Sequence, residues 1–283
     1  MKILFPTDFS NAAENAYVYA LKLAEQLNAS ITVVHVYEVL EAHTWIEESI
    51  NMKEINDKIT IGEFEKFKDQ IELLKRIAYE NHLADIDVNY SLRESDHFVP
   101  AILREAEDNK ADLIVLGTKG ASGLKEIFFG SVASRVMEAA TCPVFVVPDT
   151  ANYRGIRKIG LTLEYKPGEL QLIEKSLAIS RQLGGHLHCI HVDVYDPDKV
   201  KVKLLEYKEA FKQEQQISFH THYELDVEKG ILEFMKFNQI DVVIMGVHHQ
   251  SKLKEIFSYS IAKRIAYHTD IPLIALQSEP PAA

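Results

Sequence analysis

Apolar residues recur in short unbroken blocks along this chain, and between the blocks they return every three or four positions. ILFPT near the start and SITVVHVY at 30–37 have the β-branched, continuous character of strands buried on both faces. Between them, NAAENAYVYALKLAEQLN (11–28) keeps a stripe through Ala13, Ala16, Ala20 and Ala24, which predicts a helix. Ser10 or Asn11 is available to cap it. The region 38–80 ends in a second helical pattern, with Phe64, Phe67, Ile71, Leu74 and Ala78 on one side. Strand patterns come next at 86–92, 112–117 and 142–148, separated by helical patterns at 98–110 and 130–140. Such alternation predicts an α/β fold, a parallel sheet with helices on both faces. Right-handed crossovers narrow it to an open, doubly wound sheet.

The pattern then starts again. ADLIVLGTKGASGLKEIFFGSVASRVMEAATCPVFVVP (111–148) parallels IDVVIMGVHHQSKLKEIFSYSIAKRIAYHTDIPLIAL (240–276) at a constant offset. Asp112 falls on Asp241, Gly117 on Gly246 and Pro143 on Pro272. KILFPTD parallels KIGLTLE, and VVHVYE parallels CIHVDV, matching His35 with His191. The first copy carries extra residues in its middle. A repeat of this length is a whole domain, so the expectation is two tandem units, 1–148 and 156–277, joined by the turn-rich PDTANYRG. Second-unit strands are expected at 157–163, 186–193, 217–225, 241–246 and 271–276, and helices at 168–183, 198–216, 228–237 and 258–268. Residues beyond Gln277 read as a short tail.

Composition removes several functions. With 283 residues, 47% apolar, the chain can bury two ordinary cores. A formal net charge of −11 argues against nucleic-acid binding and against anionic membrane surfaces. It leaves a compact phosphate site untouched, because backbone N–H groups can hold an anion without net positive charge. Cys142 and Cys189 have no metal-binding or CxxC spacing and read as buried thiols. The start MKILFPTDFS lacks a leader pattern and no apolar run is long enough to span a bilayer, so a cytoplasmic location is expected.

The segment with most chemistry is strand–GTKGASGLKEIFFGS–helix. Gly117 closes a strand, Gly120 and Gly123 relax the loop, and Gly130-Ser131 opens the next helix. Successive backbone N–H groups in such a loop can turn toward an anion, and the helix start adds free donors and a favourable field. Lys119 and Lys125 are available to add charge, and the Ser131 hydroxyl to cap the helix or bond a phosphate oxygen. The loop lacks the GK[ST] ending of a P-loop and does not succeed the first strand as a dinucleotide fingerprint would. The first strand leads instead into Pro6-Thr7-Asp8-Phe9-Ser10. In a doubly wound sheet the ends of the first and fourth strands flank the crevice where ligands sit. Asp8 is a candidate acceptor for a base or ribose, or alternatively the cap of the first helix; Val36 is a candidate apolar lid. His186, His188, His220 and His222 alternate on two strands expected to be neighbours, but without a cysteine or close carboxylate they point only weakly to a metal, and no metal site is assigned. No catalytic residue is assigned, since nothing places Asp8 for an attacking water.

Gly117, Gly120, Gly130 and Ser131 fit the G-2x-G-9x-G-[S/T] pattern of the universal stress protein family, and ILFPTDFS, VVHVYE and CPVFVVP resemble its opening, second and closing strands. The resemblance covers nearly the whole chain, twice. It implies two five-stranded parallel sheets in the order 3-2-1-4-5, paired through their fifth strands at 144–147 and 273–276, with further dimerisation open. It also implies an adenine-nucleotide-binding regulatory role with ATP or AMP as ligand, with or without Mg²⁺. Asp8 and Val36 would then contact the adenosine, and Gly117, Gly120, Gly130 and Ser131 the phosphates, with Pro6, Thr7 and Lys119 beside them. The second unit departs from the pattern: His249 replaces Gly120, Tyr259-Ser260 replaces Gly130-Ser131 and Glu164 replaces Asp8. A degenerate second site is expected, because a residue with a side chain resists the left-handed conformation and a tyrosine fills the phosphate position. A slow Mg²⁺-dependent ATPase, or a partner-binding protein using Trp45 and the 38–80 insert, are the alternatives.

Overall fold

The first apolar block forms β1 (Lys2–Pro6), and its neighbours are set by register: Lys2–Pro6 lie beside Ser30–Val34 of β2 (Ser30–Tyr37), and Ile3–Leu4 beside Leu113–Ile114 of β4 (Leu113–Gly117). β3 (Val88–Glu94) adds outside β2, and β5 (Val144–Val147) outside β4, all parallel. The computed structural model describes residues 1–38, 52–118, 131–166, 168–193, 197–248 and 270–278. The second half repeats the arrangement with β6 (Lys158–Leu163), β7 (His186–Asp193), β8 (Ile217–Tyr223), β9 (Val242–His248) and β10 (Leu273–Ser278). Each half therefore has the expected order 3-2-1-4-5.

The fifth strands join the halves. β5 and β10 pair antiparallel, giving one ten-stranded sheet in the order β3-β2-β1-β4-β5-β10-β9-β6-β7-β8. Leu273 faces Val146, Ile274 faces Phe145 and Ala275 faces Val144, so equivalent positions of the repeat meet each other about Phe145 and Ile274. These two residues mark a pseudo-two-fold axis. Both are almost fully buried, as a junction that replaces two sheet edges requires.

Helices cover both faces. α1 (Asn11–Leu27), α2 (Met52–Glu80), α5 (Glu169–Gln182) and α6 (Pro197–Ala210) pack on one, through Tyr17, Leu74, Leu172 and Tyr207. α3 (Phe98–Asn109), α4 (Ser131–Ala139) and α7 (Val227–Asn238) pack on the other, through Ile102, Met137 and Phe234. Successive residues of β2 serve the two cores: Ile31 and Val33 the first, Val34 and Val36 the second. That two-sided burial is why its sequence shows no polar alternation. In α1 the predicted alanine stripe is buried, and the small side chains let the helix lie close to the sheet.

Several expectations needed correction. The stripe of α2 is only partly core: Phe67, Leu74 and Ala78 are buried, but Phe64 is 56% exposed, because the helix extends past the sheet it covers. The helix expected at 198–216 ends at Ala210, and Tyr207 and Phe211 seal its end against the core. The last strand runs one residue into the expected tail, pairing Ser278 with His248. Of the thiols, Cys189 is buried but Cys142 only partly. Trp45 and the helix expected at 258–268 lie outside the described residues.

Candidate functional site

The chain reverses its winding direction between β1 and β4: connections from β1 run toward β2, those from β4 toward β5. The carboxyl ends of these two strands therefore border a crevice, the place where open α/β sheets bind ligands. At its β1 side, Pro6 ends the strand and Thr7 comes next, buried, donating its N–H to the Val34 carbonyl oxygen at 2.9 Å. The Thr7 hydroxyl accepts the Phe9 N–H at 3.0 Å. Asp8 is exposed and its carboxylate accepts the Ser10 N–H at 3.1 Å. Ser10 caps α1 by accepting the Ala13 N–H at 3.2 Å. The cap is thus Ser10, and Asp8 shapes the turn before it, correcting the alternative in which Asp8 capped the helix.

Two contacts hold this turn that sequence reasoning did not single out. His35 of β2 sets its Nδ1 2.8 Å from the Thr7 carbonyl oxygen. Phe9, in the left-handed region at φ 58°, lays its ring 4.8 Å from the His35 imidazole and 6.0 Å from Phe67 of α2. A non-glycine residue held at positive φ costs energy, and here the aromatic stack offsets it. The signal was present as the repeated histidine and as an aromatic residue after the acid in both copies. Val36 lies one residue beyond His35, 7% exposed, on the α3–α4 side.

On the β4 side, Gly117 has a packing reason as well as a loop reason. A Cβ there would stand 3.0 Å from the Ala12 carbonyl oxygen and 3.2 Å from the Ala12 carbonyl carbon, inside the first turn of α1. Thr118 then turns into the core region, donating its N–H to the Val147 carbonyl oxygen at 3.0 Å. α4 begins at Ser131 with no acidic residue in its first turn, which suits an anion at its N-terminus. Lys119, Gly120, Gly123, Lys125 and Gly130 lie outside the described residues, as does the Ser131 side chain. Pro6, Thr7, Asp8, Val36 and Gly117 thus stand around one crevice end. They bring an exposed carboxylate, a mostly buried valine and a helix start without acids to one end of the sheet.

The second half keeps the framework and changes the turn. Asp241 accepts from the Arg157 and Lys158 N–H groups as Asp112 accepts from Lys2, and His191 Nδ1 stands 2.9 Å from the Leu163 carbonyl oxygen as His35 does from Thr7. Tyr165, at φ 59°, stacks on His191 with centroids 4.0 Å apart. Here, however, the turn is tied down by Glu169. This buried carboxylate accepts the Glu164 and Tyr165 N–H groups and the Tyr207 hydroxyl. Burial pushes its pKa up against those bonds. Glu164, in the place of Asp8, pairs with Lys166 at 2.8 Å. β9 also continues past Gly246 to His248, paired with Gln277 and Ser278 of β10, where β4 stops at Gly117. Pro148 stands where the second half has Gln277, and a proline has no N–H to extend the ladder. His249, Tyr259 and Ser260 lie outside the described residues. Among the described residues, no helix is long and apolar enough to cross a membrane.

The fold defines a tandem, doubly wound α/β protein built from two copies of one domain. The profile of the universal stress protein family matches residues 1–148 and again 155–277, and the chain belongs to that family. A universal stress protein of Synechocystis is 26% identical over 97% of this chain and 99% of its own length. One from Methanocaldococcus jannaschii is 34% identical over 52% of this chain and 81% of its own. Among solved structures, a universal stress protein from Archaeoglobus fulgidus superposes with a TM-score of 0.69 at 19% identity, covering 98% of this chain and 96% of that one. At that identity the likeness concerns the fold.

Proposed function

We propose that the chain is an adenine-nucleotide-binding regulatory protein of the stress response, working in the cytoplasm, with one functional site in its first half. Its units are 1–148 and 156–277. The observation that carries the reading is the difference between two turns on matching frameworks. Asp8 is exposed beside the end of β1, whereas the half-buried Glu164 turn has its backbone bound by the Glu169 carboxylate. In this reading Asp8 accepts from the ribose or base, Val36 lies against the base, and Pro6 and Thr7 contribute backbone. Gly117, Lys119, Gly120, Gly130 and Ser131 surround the phosphates of ATP or AMP, with Mg²⁺ a companion of ATP. The bound nucleotide changes the contacts of the first half with the second, or with a further copy of the chain in a homodimer.

The test is to extract any nucleotide carried by the purified chain, then titrate ATP and AMP calorimetrically with and without Mg²⁺. One equivalent per chain is expected, lost in Asp8→Ala and Gly130→Tyr and kept in Glu164→Ala. Absence of affinity for both nucleotides, or binding that survives Gly130→Tyr, refutes the reading.

A further inference from the structure

The amino end of the second half's outer strands carries a cluster that the crevice does not use. His186 and His188 on β7 and Ser218 and His220 on β8 share the face covered by α7. The Ser218 hydroxyl lies 3.2 Å from His186 Nε2, 3.2 Å from His188 Nδ1 and 2.9 Å from His220 Nε2. His188 Nδ1 and His220 Nε2 are themselves 3.3 Å apart. Three imidazole nitrogens therefore surround one oxygen that has a single proton to give. Two ring nitrogens bound to one tetrahedral zinc at about 2.0–2.1 Å stand roughly 3.3 Å from each other, so the His188–His220 pair already has a ligand spacing. All four residues are half-buried.

We propose that this cluster binds a divalent transition metal of the Zn²⁺ or Ni²⁺ type, through His188 Nδ1, His220 Nε2 and His186 Nε2, with the Ser218 hydroxyl or a water as fourth ligand. As they stand, no three His, Cys, Asp or Glu among the described residues are drawn to metal distance. Closing the set requires His186, at the start of its strand, to exchange its contact with Ser218 for one with the ion. The donor set is all imidazole and hydroxyl, since the carboxylate of Glu233 is engaged 3.3 Å from His222 instead. Lys158 and Lys208 add positive charge nearby. A hard cation such as Mg²⁺, which depends on anionic oxygens, is rejected there, whereas an imidazole-preferring metal gains enough from its ligand bonds. The carboxyl end of α7 partly balances the charge: the Asn238 carbonyl oxygen accepts from Lys158 Nζ at 2.9 Å.

The experiment uses the full chain, stripped with a chelator and dialysed against Zn²⁺, Co²⁺ or Mg²⁺ without nucleotide. One equivalent of Zn²⁺ or Co²⁺ is expected, the Co²⁺ form with visible absorption of a low-coordinate nitrogen site, and no Mg²⁺. Uptake should disappear in His188→Gln and His220→Gln and persist in His222→Gln. Should a variant fold poorly, the wild-type chain answers alone: Zn²⁺ should shield His186, His188 and His220 from diethyl pyrocarbonate while exposed His82 and His97 stay reactive. No stoichiometric uptake, uptake indifferent to both substitutions in folded protein, or shielding of other histidines overturns the proposal.

Discussion

The replacement Gly117→Ala tests how closely the crevice walls are packed. It adds one methyl group, whose carbon would sit 3.0 Å from the Ala12 carbonyl oxygen and 3.2 Å from the carbonyl carbon. Both are backbone atoms of a 17-residue helix, so no side chain can swing aside. The helix is already seated close on the sheet through Ala16, Ala20 and Ala24, all fully buried. Relief requires α1 to lift from the end of β4 by a few tenths of an ångström, and overpacking of this kind costs about 1–3 kcal/mol. Gly62 provides the control. It lies within α2, where an added Cβ meets nothing within 4 Å. There the same change should stabilise by about 0.8–1 kcal/mol, because alanine is the better helix former. The assay is urea unfolding monitored by circular dichroism for both variants, with a nucleotide titration beside it. The same chemical change should move the midpoint in opposite directions, and only Gly117→Ala should weaken nucleotide binding, since it displaces both walls. A Gly117→Ala chain as stable as the wild type would refute the packing argument.

Four further outcomes are expected. Phe145→Ala removes a 1% exposed ring at the pseudo-two-fold axis and should cost about 3–5 kcal/mol; limited proteolysis should then separate the halves faster, and unchanged cleavage would count against β5–β10 as the main junction. At Glu105, burial alone would raise the carboxyl, but bonds from Arg93, Ser91 and Asn109 outweigh it and hold the pKa below its ordinary value. Its stabilisation is therefore present above an unfolded pKa of about 4.3 and is lost as pH falls through the lower native value; Glu105→Gln should flatten that acid limb of the unfolding profile. Glu169 has the opposite sign: burial raises its pKa, so stability is lost as pH rises through the native value, and Glu169→Gln should remove that loss rather than the acid limb. Burial also pushes the Cys142 thiol up to about 11 and Cys189 well above its ordinary value, so a disulfide reagent at pH 8 should label the urea-unfolded chain quickly and the native chain slowly; fast native labelling would refute it.

The fold was legible because its information is local and repeated. Continuous apolar blocks such as SITVVHVY can satisfy burial only as strands covered twice, and the correspondence of Asp112 with Asp241 and His35 with His191 recurs as the same hydrogen bonds in both halves. Element ends were less legible. Phe64 fits a helical stripe as well as Leu74 does, yet one is exposed and the other buried, since periodicity does not record where the sheet stops. Around the crevice, the pattern of glycines indicated a loop but not the second duty of Gly117, which depends on the approach of a helix distant in sequence. The Glu169 brace was hidden for the same reason: its partners Tyr165 and Tyr207 come together only through the fold.

The antiparallel β5–β10 junction has a mechanical consequence for the two crevices. It turns the second half end for end, so the two switch points open toward opposite ends of the composite sheet. A single ligand therefore cannot bridge the two crevices, and the Glu169-bound turn can be lost as a site without harm to the Asp8 turn. The imidazole cluster, at the amino ends of β7 and β8, faces the same end of the sheet as the first crevice. Communication between the halves has to pass through the centre, and the contacts there are specific. Asn15 of α1 donates to the Pro148 and Ala151 carbonyl oxygens at the interdomain segment, and Gln26 of α1 donates to the Leu183 carbonyl oxygen of the second half. Gln277 of β10 donates to the Met137 carbonyl oxygen at 3.1 Å, within α4. The second half thus grips α1, whose start borders the Asp8 turn, and α4. A shift of either helix would therefore load hydrogen bonds made by the partner half.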